Sequence, residues 1–408
     1  MNKTKIEWSD YTVNPIRAKF AETATRWGRP GWSCVRVSPG CKNCYASTLN
    51  KRFGTQLDYA ADQQAHVEHY LDEKAIAKML TFRPRGPFKN GRTRAAVFVQ
   101  DMADMFGEWV EEKWLDRLFA VFALRSDVDW LLLTKRPERM REYLSNLRLR
   151  PRRFQIVRDL LPSVPEKSPA NDMVSLEEIA APAPWPLPNV WLGVSVENQA
   201  AADERIPLLL ETPAAVRFLS VEPLLESVTL PRPLLDRGVE RLHVAMSVSG
   251  ALRNRSFDGL TNDAGRPLTR AEAESELRRL AASGVKLIPA SADCDGFSDQ
   301  TGCPGHRFAG IDWVIVGGES GPRARRFEMG WAESLRDECA EAGVPFFLKQ
   351  LGGCISGDFT RFPAGALPMV RRESDFDPVG CHLKDRKGGD MSEWPEDLRV
   401  RQMPGGEK

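Results

Sequence analysis

The feature that most constrains this chain is an alternation of short apolar runs with helical patterns. Nearly continuous apolarity within each run indicates a strand covered on both faces, as in parallel sheets. Repeated strand, helix, strand order predicts an α/β fold, either a (β/α) barrel, full or partial, or an open doubly wound sheet. The runs are AAVFVQ (95–100), DWLLLT (129–134), NVWLGVSV (189–196), AVRFLSV (215–221), IDWVIVGG (311–318) and VPFFLKQ (344–350).

Two of the intervening helices stand out in the sequence. In residues 108–123, large apolar side chains recur at a spacing of three to four, which is the pattern of an amphipathic helix. A second helix is predicted over 331–343, because Gly343 suits a helix C-terminus and the next strand follows directly. Cys339 falls on the apolar side of this helix, so we expect it in the core.

Polar and charged residues follow all of these runs. In a parallel barrel the carboxyl ends of the strands point to one face, where active sites of this architecture are built. A single charged residue after a strand serves equally well as a helix cap, but so many such ends together favour a site. The candidates are Asp101, Asp104, Lys135, Arg136, Ser195, Glu197, Glu222 and Glu319.

Two segments interrupt the alternation. Residues 149–188 are rich in Pro and Ala, and residues 226–310 form a longer interval that carries its own helical pattern, from Thr269 to Gly284. We interpret both as insertions in one barrel that spans residues 1–353. The remaining residues, 354–408, have many charges and few apolar runs, and are predicted to form an irregular C-terminal tail.

Composition limits the possible partners and the compartment. With 57 Lys and Arg against 56 Asp and Glu in 408 residues, the net charge of +1 excludes strong overall attraction to nucleic acid but leaves room for a local basic groove. The basic run 82–94 is a candidate surface for DNA or RNA, the alternative being a solvated loop. The sequence has no secretion signal and no stretch of roughly 20 apolar residues. It therefore predicts a cytoplasmic protein with no membrane partner.

Three of the eight cysteines fall within the segment GWSCVRVSPGCKNCYAS (31–47). So few cysteines do not make a disulfide framework, and reduced thiols are free to bind metal. The C-x2-C pair Cys41 and Cys44, with Cys34 ahead of it, provides three thiolates. Structural zinc takes four protein ligands, whereas three thiolates suit a [4Fe–4S] cluster with one iron open to a small molecule. Zinc completed by a distant ligand and unligated buried thiols are the alternatives.

A second group of metal-binding residue types lies in the larger insertion. Cys294, Cys303 and His306 occur in the Gly- and Asp-rich sequence CDGFSDQTGCPGH. With a remote fourth ligand such as Cys381 or His382, they suit zinc or an auxiliary cluster. The alternative is a loop without metal chemistry.

Several blocks of the sequence agree nearly residue for residue with one family. They are KIEWSDYTVNP, CVRVSPGCKNCYA, VFVQDMADMF, LLLTKRPERM, NVWLGVSVENQAAADERIPLLLETPAAVRFLSVEPLL, IDWVIVGGESGPRARR and GVPFFLKQLGG. Across most of 5–353 outside the insertions, the chain resembles the phage-associated three-Cys-motif family of radical-SAM-like proteins. That family is largely uncharacterised and is distantly similar to spore photoproduct lyase.

The resemblance implies a barrel of the radical S-adenosylmethionine (SAM) type. Cys34, Cys41 and Cys44 would then bind a [4Fe–4S] cluster, whose open iron holds the amino and carboxylate groups of SAM. One electron from an external donor cleaves SAM and gives a 5′-deoxyadenosyl radical, which abstracts hydrogen from a substrate.

The strand ends offer partners for the amino acid part of SAM. Asp101 and Asp104 are expected to accept hydrogen bonds from its amino group. Lys135 or Arg136 is expected to hold its carboxylate, for which arginine has the better bidentate geometry.

The other candidates suit the nucleoside part of SAM or the substrate. Ser195 and Glu197 are expected to bind the ribose hydroxyls, and Glu222 and Glu319 to contact SAM or the substrate. Tyr45 is expected to contact the adenine.

The sequence thus predicts a radical SAM enzyme, with a nucleic-acid base as the candidate substrate for modification or repair. The alternative is a phage-type protein without catalysis, stabilised by zinc or a structural cluster, that binds nucleic acid or protein. A third reading keeps the cluster for redox sensing or structure alone.

Overall fold

A computed structural model describes residues 1–21, 27–147, 150–173, 186–230, 310–366, 369–371 and 380–404. Its strands are β1 (Asn2–Lys3), β2 (Tyr11–Val13), β3 (Ile16–Ala21), β4 (Trp27–Gly31), β5 (Val67–Leu71), β6 (Ala95–Val99), β7 (Val128–Thr134), β8 (Val190–Ser195), β9 (Val216–Val221), β10 (Trp313–Gly317), β11 (Phe327–Glu328), β12 (Phe346–Gln350), β13 (Ile355–Ser356), β14 (Met369–Arg371) and β15 (Gly380–His382). Its α-helices are α1 (Tyr45–Phe53), α2 (Glu73–Thr81), α3 (Glu112–Leu124), α4 (Pro137–Leu147), α5 (Arg150–Leu160), α6 (Ala170–Met173), α7 (Gln199–Glu211) and α8 (Met329–Ala342).

A curled eight-stranded sheet dominates this mixed α/β fold and forms a half-barrel. Its strand order is β1-β2-β6-β7-β8-β9-β10-β12. The pair β1 and β2 is antiparallel, and all other neighbours are parallel. Since the two edge strands do not pair with each other in the described residues, the partial form of the predicted barrel is confirmed. The predicted apolar runs correspond to β6, β7, β8, β9, β10 and β12.

The sheet is buried on both faces, as the continuous apolar runs indicate. Alternate residues point to opposite faces of a strand, and residues such as Val97, Leu132 and Val314 belong to a large core cluster that also includes helix side chains. The other face carries a smaller, aromatic cluster: Trp8, Ala96, Phe98, Leu131, Trp191, Phe218, Trp313, Ile315 and Phe347.

Trp8 lies at the centre of this aromatic cluster. Its ring centroid is 4.7 Å from that of Phe98, 6.2 Å from that of Phe218 and 6.3 Å from that of Trp313. Gly193 makes room for this packing, since a Cβ there would lie 2.4 Å from the ring of Phe218. The side chains therefore fill this part of the half-barrel interior.

The two predicted helices are present. The first begins at Glu112, four residues later than predicted, because residues 108–110 form a turn, and its apolar stripe is buried. The second, α8, ends at Gly343, whose φ of 67° lies in the left-handed region that favours glycine. Cys339 is fully buried, as predicted.

Only parts of the two predicted insertions are described. The first contributes α5 and the short α6. Residues 231–309 lie outside the described residues, and with them the predicted helix from Thr269 and the second metal group of Cys294, Cys303 and His306. None of the helices in the described ranges combines the length and apolarity that crossing a bilayer would need. The cytoplasmic location stays a prediction.

The prediction of an irregular C-terminal tail is wrong for its described part. Strands β13, β15 and β14 form a four-stranded sheet with β11, and Trp394 and Leu398 are fully buried. Arg401 pairs with Phe347 through an antiparallel bridge. The physical reason is that β12 is an edge strand, whose exposed backbone groups are satisfied when the tail covers them.

Candidate functional site

A cavity of about 300 Å³ opens at the carboxyl ends of the parallel strands. This is the end at which barrel enzymes build their sites, and the volume is within the usual range for small-molecule pockets. Apolar side chains of the half-barrel interior, including Trp8 and Phe98, line it on one side. The other lining residues include Cys34, Cys41, Cys44, Tyr45, Asp101, Asp104, Lys135, Ser195, Ser220, Glu222, Glu319, Lys349 and Gln350.

All three cysteines lie on one segment, the Cys loop (residues 32–44), between β4 and α1. Residues 39–41 form a single 3-10 turn, in which the Cys41 N–H donates to the Ser38 carbonyl at 3.0 Å. Cys44 is the residue that precedes the first turn of α1. The thiols of Cys34, Cys41 and Cys44 are half-buried and form no disulfide. The loop thus brings all three to the wall of one cavity.

Arg36 fixes the middle of the Cys loop. Its guanidinium donates to the Cys41 carbonyl at 3.3 Å and to the Asp58 carboxylate at 2.5 Å. Burial opposes ionisation of Asp58, but hydrogen bonds from Lys51, Ser47 and Arg36 hold the pKa of its carboxyl well below the usual range. Asp58 therefore stays charged and anchors the loop to α1.

Glu319 fixes the loop from the opposite side of the half-barrel. It accepts hydrogen bonds from Asn43 at 2.9 Å and from Arg325 at 2.7 Å. Arg325 also donates to the Pro39 carbonyl at 2.8 Å. Although burial opposes ionisation, these partners keep the pKa of Glu319 below its ordinary value. Glu319 borders the cavity, as predicted, but its two oxygens are engaged in holding the loop.

Glu197 lies behind the cavity wall, under the turn of the Cys loop. It is fully buried, and Arg205 binds it at 3.0 Å. A Cβ at Gly40 would lie 3.1 Å from the Glu197 carboxylate carbon, so glycine allows the turn to rest on this side chain. Lys135, whose Nζ is 4.0 Å away, does reach the cavity. The structure therefore gives Glu197 a place under the loop, away from a ribose in the cavity.

Arg136 also lies behind the wall. Its guanidinium is 3.2 Å from Asp104 and 2.9 Å from Glu108, and it donates to the Val35 carbonyl at 3.1 Å. Asp104 borders the cavity but accepts a hydrogen bond from the Thr134 hydroxyl at 2.7 Å. The pair of Arg136 and Asp104 therefore holds the backbone next to Cys34. Of the two adjacent cations after β7, only Lys135 faces the cavity.

Asp101 and Tyr45 meet at the mouth of the cavity. The Tyr45 hydroxyl donates to the Asp101 backbone carbonyl at 2.7 Å, while its side chain is 52% exposed. The Asp101 carboxylate accepts from Asn14 at 2.7 Å, and burial raises its pKa. Both residues are thus positioned at the entrance, where the sequence predicted contacts to SAM.

Ser220 and Lys349 also face the cavity, although the sequence analysis did not select them. Ser220 is the register partner of Ser195 on the neighbouring strand, so their hydroxyls lie side by side. Lys349 pairs with Glu222 at 2.9 Å. The signal that would have found them is the period of two along each strand, which turns these residues to the same face as the aromatic cluster.

Burial disfavours the charged form of the thiols in the Cys loop. It raises the pKa of Cys34 to about 12, and the nearby Asp104 carboxylate adds to the effect. Burial also raises the pKa of Cys44, although N–H groups of Ser47 and Ala46 at the start of α1 oppose it. In the protein alone, burial therefore favours the neutral thiol at both positions.

The described residues contain no group of three or more His, Cys, Asp or Glu side chains arranged to hold a metal ion. Around one zinc ion, bonds of about 2.3 Å bring the sulfurs to within roughly 4 Å of each other. The described residues thus give no support to a metal at the three cysteines, and the cluster stays a prediction.

The chain matches the model of a protein family over residues 3–387, from the first strand to the C-terminal sheet. It belongs to DUF5131, a family of unknown function. No curated protein and no solved structure matches the chain. The DUF5131 match carries no activity, so the resemblance to radical-SAM-like proteins stays a prediction.

None of the residues of the basic run 82–94 lines this cavity. The run leads into the start of β6, at the end of the sheet opposite the cavity. Lys89 donates to three backbone carbonyls within residues 4–9, and Arg92 pairs with Asp129 at 2.5 Å. Part of the charge of this run is therefore used to close the sheet, and its contact with DNA or RNA stays a prediction.

Proposed function

We propose that this protein is a radical SAM enzyme. In this proposal Cys34, Cys41 and Cys44 bind a [4Fe–4S] cluster, and the adjacent cavity takes SAM. The observation that carries it is the convergence of three free thiols, from one loop, on a cavity at the carboxyl end of a parallel half-barrel.

The donor set and its support fit a cluster. The loop is fixed by the Arg36–Asp58 and Arg325–Glu319 pairs and rests on Glu197. Such support holds ligands in place before the metal arrives.

The cavity offers polar groups that match those of SAM. Asp101 and Lys135 provide an acceptor for an amino group and a cation for a carboxylate. Trp8 Nε1 and Gln350 Oε1 are buried in residues that line the cavity, and neither has a hydrogen-bond partner among the described residues. Since buried polar atoms are nearly always paired in folded proteins, a bound ligand is a reasonable partner for them.

Cys34, Cys41 and Cys44 would hold the cluster, which would supply the electron, taken from an external reductant, for reductive cleavage of SAM to methionine and a hydrogen-abstracting 5′-deoxyadenosyl radical. The protein's own part is to orient SAM through Asp101 and Lys135 and to keep water away. The aromatic side chains of Trp8 and Phe98 form the dry side of the cavity.

The test uses the full chain, purified without oxygen and reconstituted with iron and sulfide. We expect about four irons per chain, and 5′-deoxyadenosine by mass spectrometry after addition of dithionite and SAM. Cys41→Ala should lose both. The matched control is Cys339→Ala, which removes a thiol from α8 and should keep both.

Three results would contradict the proposal. Zinc without iron, with SAM left intact, would favour the protein without catalysis that zinc stabilises. Four irons that survive in Cys41→Ala would show that the cluster lies elsewhere. A cluster lost in Cys41→Ala, without SAM cleavage by the parent protein, would favour a structural or redox-sensing role.

A further inference from the structure

The exposed large apolar side chains of the described residues lie together in the Cys loop and α1. Val37, Tyr45, Leu49 and Phe53 are 45%, 52%, 39% and 55% exposed. Residues four apart lie on the same face of a helix. Tyr45, Leu49 and Phe53 therefore form one stripe along α1, which we call the α1 stripe.

The α1 stripe starts at the cavity and leads away from it. Tyr45 is one of the lining residues, and its hydroxyl is fixed to the Asp101 carbonyl. The opposite face of the helix is buried through Ala46, Ser47 and Asn50. At 1.5 Å per residue, the stripe extends about 12 Å from the mouth of the cavity.

The surface around the stripe is positively charged. Residues 31–53 contain four basic residues and no Asp or Glu. Three of these, Lys42, Lys51 and Arg52, are exposed, and Lys51 pairs with Asp58 at 2.7 Å. The Arg52 guanidinium lies over the ring of Phe53, 4.8 Å from its centroid. Aromatic rings beside exposed cations suit a ligand that carries both planar rings and negative charges.

We propose that the α1 stripe binds a single-stranded segment of nucleic acid and leads one of its bases to the cavity. Bases stack on Tyr45 and Phe53, and phosphates lie near Lys42 and Arg52. A single strand fits because its bases are free to stack on side chains, whereas those of a duplex are already stacked on each other. This inference rests on the proposed function, for which it names the class of substrate.

Binding is measured by fluorescence anisotropy with short labelled single strands of DNA and RNA, and with a duplex of the same sequence. We expect Phe53→Ala to weaken single-strand binding about tenfold, the usual loss for one stacking side chain. Arg52→Gln should lower the slope of log affinity against log salt concentration by about 0.7, the value for one phosphate contact. The matched control, Arg158→Gln, removes an exposed charge from α5, which does not line the cavity, and should change neither quantity.

Several results would overturn the inference. One is unchanged affinity in Phe53→Ala, and another is a duplex that binds as tightly as the single strand. A dimer in sedimentation that dissociates in Phe53→Ala would make a second copy of the chain the occupant of the stripe. Binding is measured without SAM turnover, so a parent protein that cleaves SAM but binds no strand refutes this inference and leaves the proposed function intact. Strand binding by a parent protein that holds no iron and does not cleave SAM would refute the proposed function and leave this inference intact.

Discussion

The two ends of the half-barrel are both rich in charge, but they use it differently. At the amino-terminal end of the strands, cations bind backbone carbonyls and carboxylates that do not border the cavity, as Arg92 binds Asp129. Arg125 donates to the carbonyls of Met79, Leu80 and Phe82 at 2.5, 3.0 and 2.6 Å. At the carboxyl end, cations also bind both kinds of group, but here some of the carboxylates border the cavity, as in the pair Lys349 and Glu222.

The direction of the helices explains this difference. Helices that connect parallel strands run back against them, so their last carbonyls gather at the amino-terminal end of the sheet and their first N–H groups at the carboxyl end. Unpaired carbonyls at helix C-termini accept hydrogen bonds from cations, so these cations stabilise the fold. Helix N-termini favour negative charge instead. The starts of α1, α4 and α7 accordingly favour thiolates and anionic ligands near the cavity.

The largest expected effect is on stability, at the amino-terminal end of the strands. Arg125 is fully buried, and Arg125→Met would leave the three carbonyls and the partner carboxylate of Asp127 without their donor. We expect the free energy of unfolding to fall by about 4 kcal/mol, as is usual when one partner of a buried charged network is removed. Urea unfolding measures it, and the folded fraction should still take up iron. A loss below about 1 kcal/mol would mean that this end is not held by its cation.

A smaller effect is expected where the Cys loop joins the far side of the half-barrel. Arg325→Met removes the donor that holds Glu319 and the Pro39 carbonyl together. We expect a loss of about 2 kcal/mol, because hydrogen bonds to charged groups contribute that much. Iron content after reconstitution should fall by more than stability alone explains. The matched control is Arg326→Met, which removes the neighbouring arginine but leaves the loop contact in place. Equal iron content in both variants would contradict a role for Arg325 in positioning the loop.

The sequence predicted the parts of the fold that depend on local pattern. The parallel strands β6, β7, β8, β9, β10 and β12 were found because their residues are nearly all apolar. The strands β1 to β5 were missed, since they are short and mix polar with apolar residues. The open edge of the barrel and the covering of β12 by the tail depend on pairings between distant segments. A pattern within one segment does not encode them.

The site follows the same rule. That strand ends converge was predictable, but whether a charged side chain faces the cavity depends on its partner. Glu197 turns away because Arg205, on α7, binds it, and Arg136 turns away because Asp104 and Glu108 do. Asn43 reaches Glu319 across 276 positions of sequence, a contact that no spacing reveals.

The smallest effect on stability is expected for the pair that borders the cavity. The side chains of Lys349 and Glu222 are 17% and 14% exposed, and each borders a cavity in which solvent can hydrate the charge left by a substitution. We therefore expect Lys349→Met and Glu222→Gln each to cost about 1 kcal/mol, with a coupling of similar size in a double-mutant cycle. The same variants should weaken SAM binding, measured by calorimetry, if the pair contributes to the cavity wall as proposed. A coupling free energy as large as the loss of stability in Arg125→Met would show that charged pairs stabilise both ends of the half-barrel equally. A small coupling together with weaker SAM binding would instead mean that cations at the amino-terminal end stabilise the fold, whereas the Lys349–Glu222 pair contributes mainly to ligand binding.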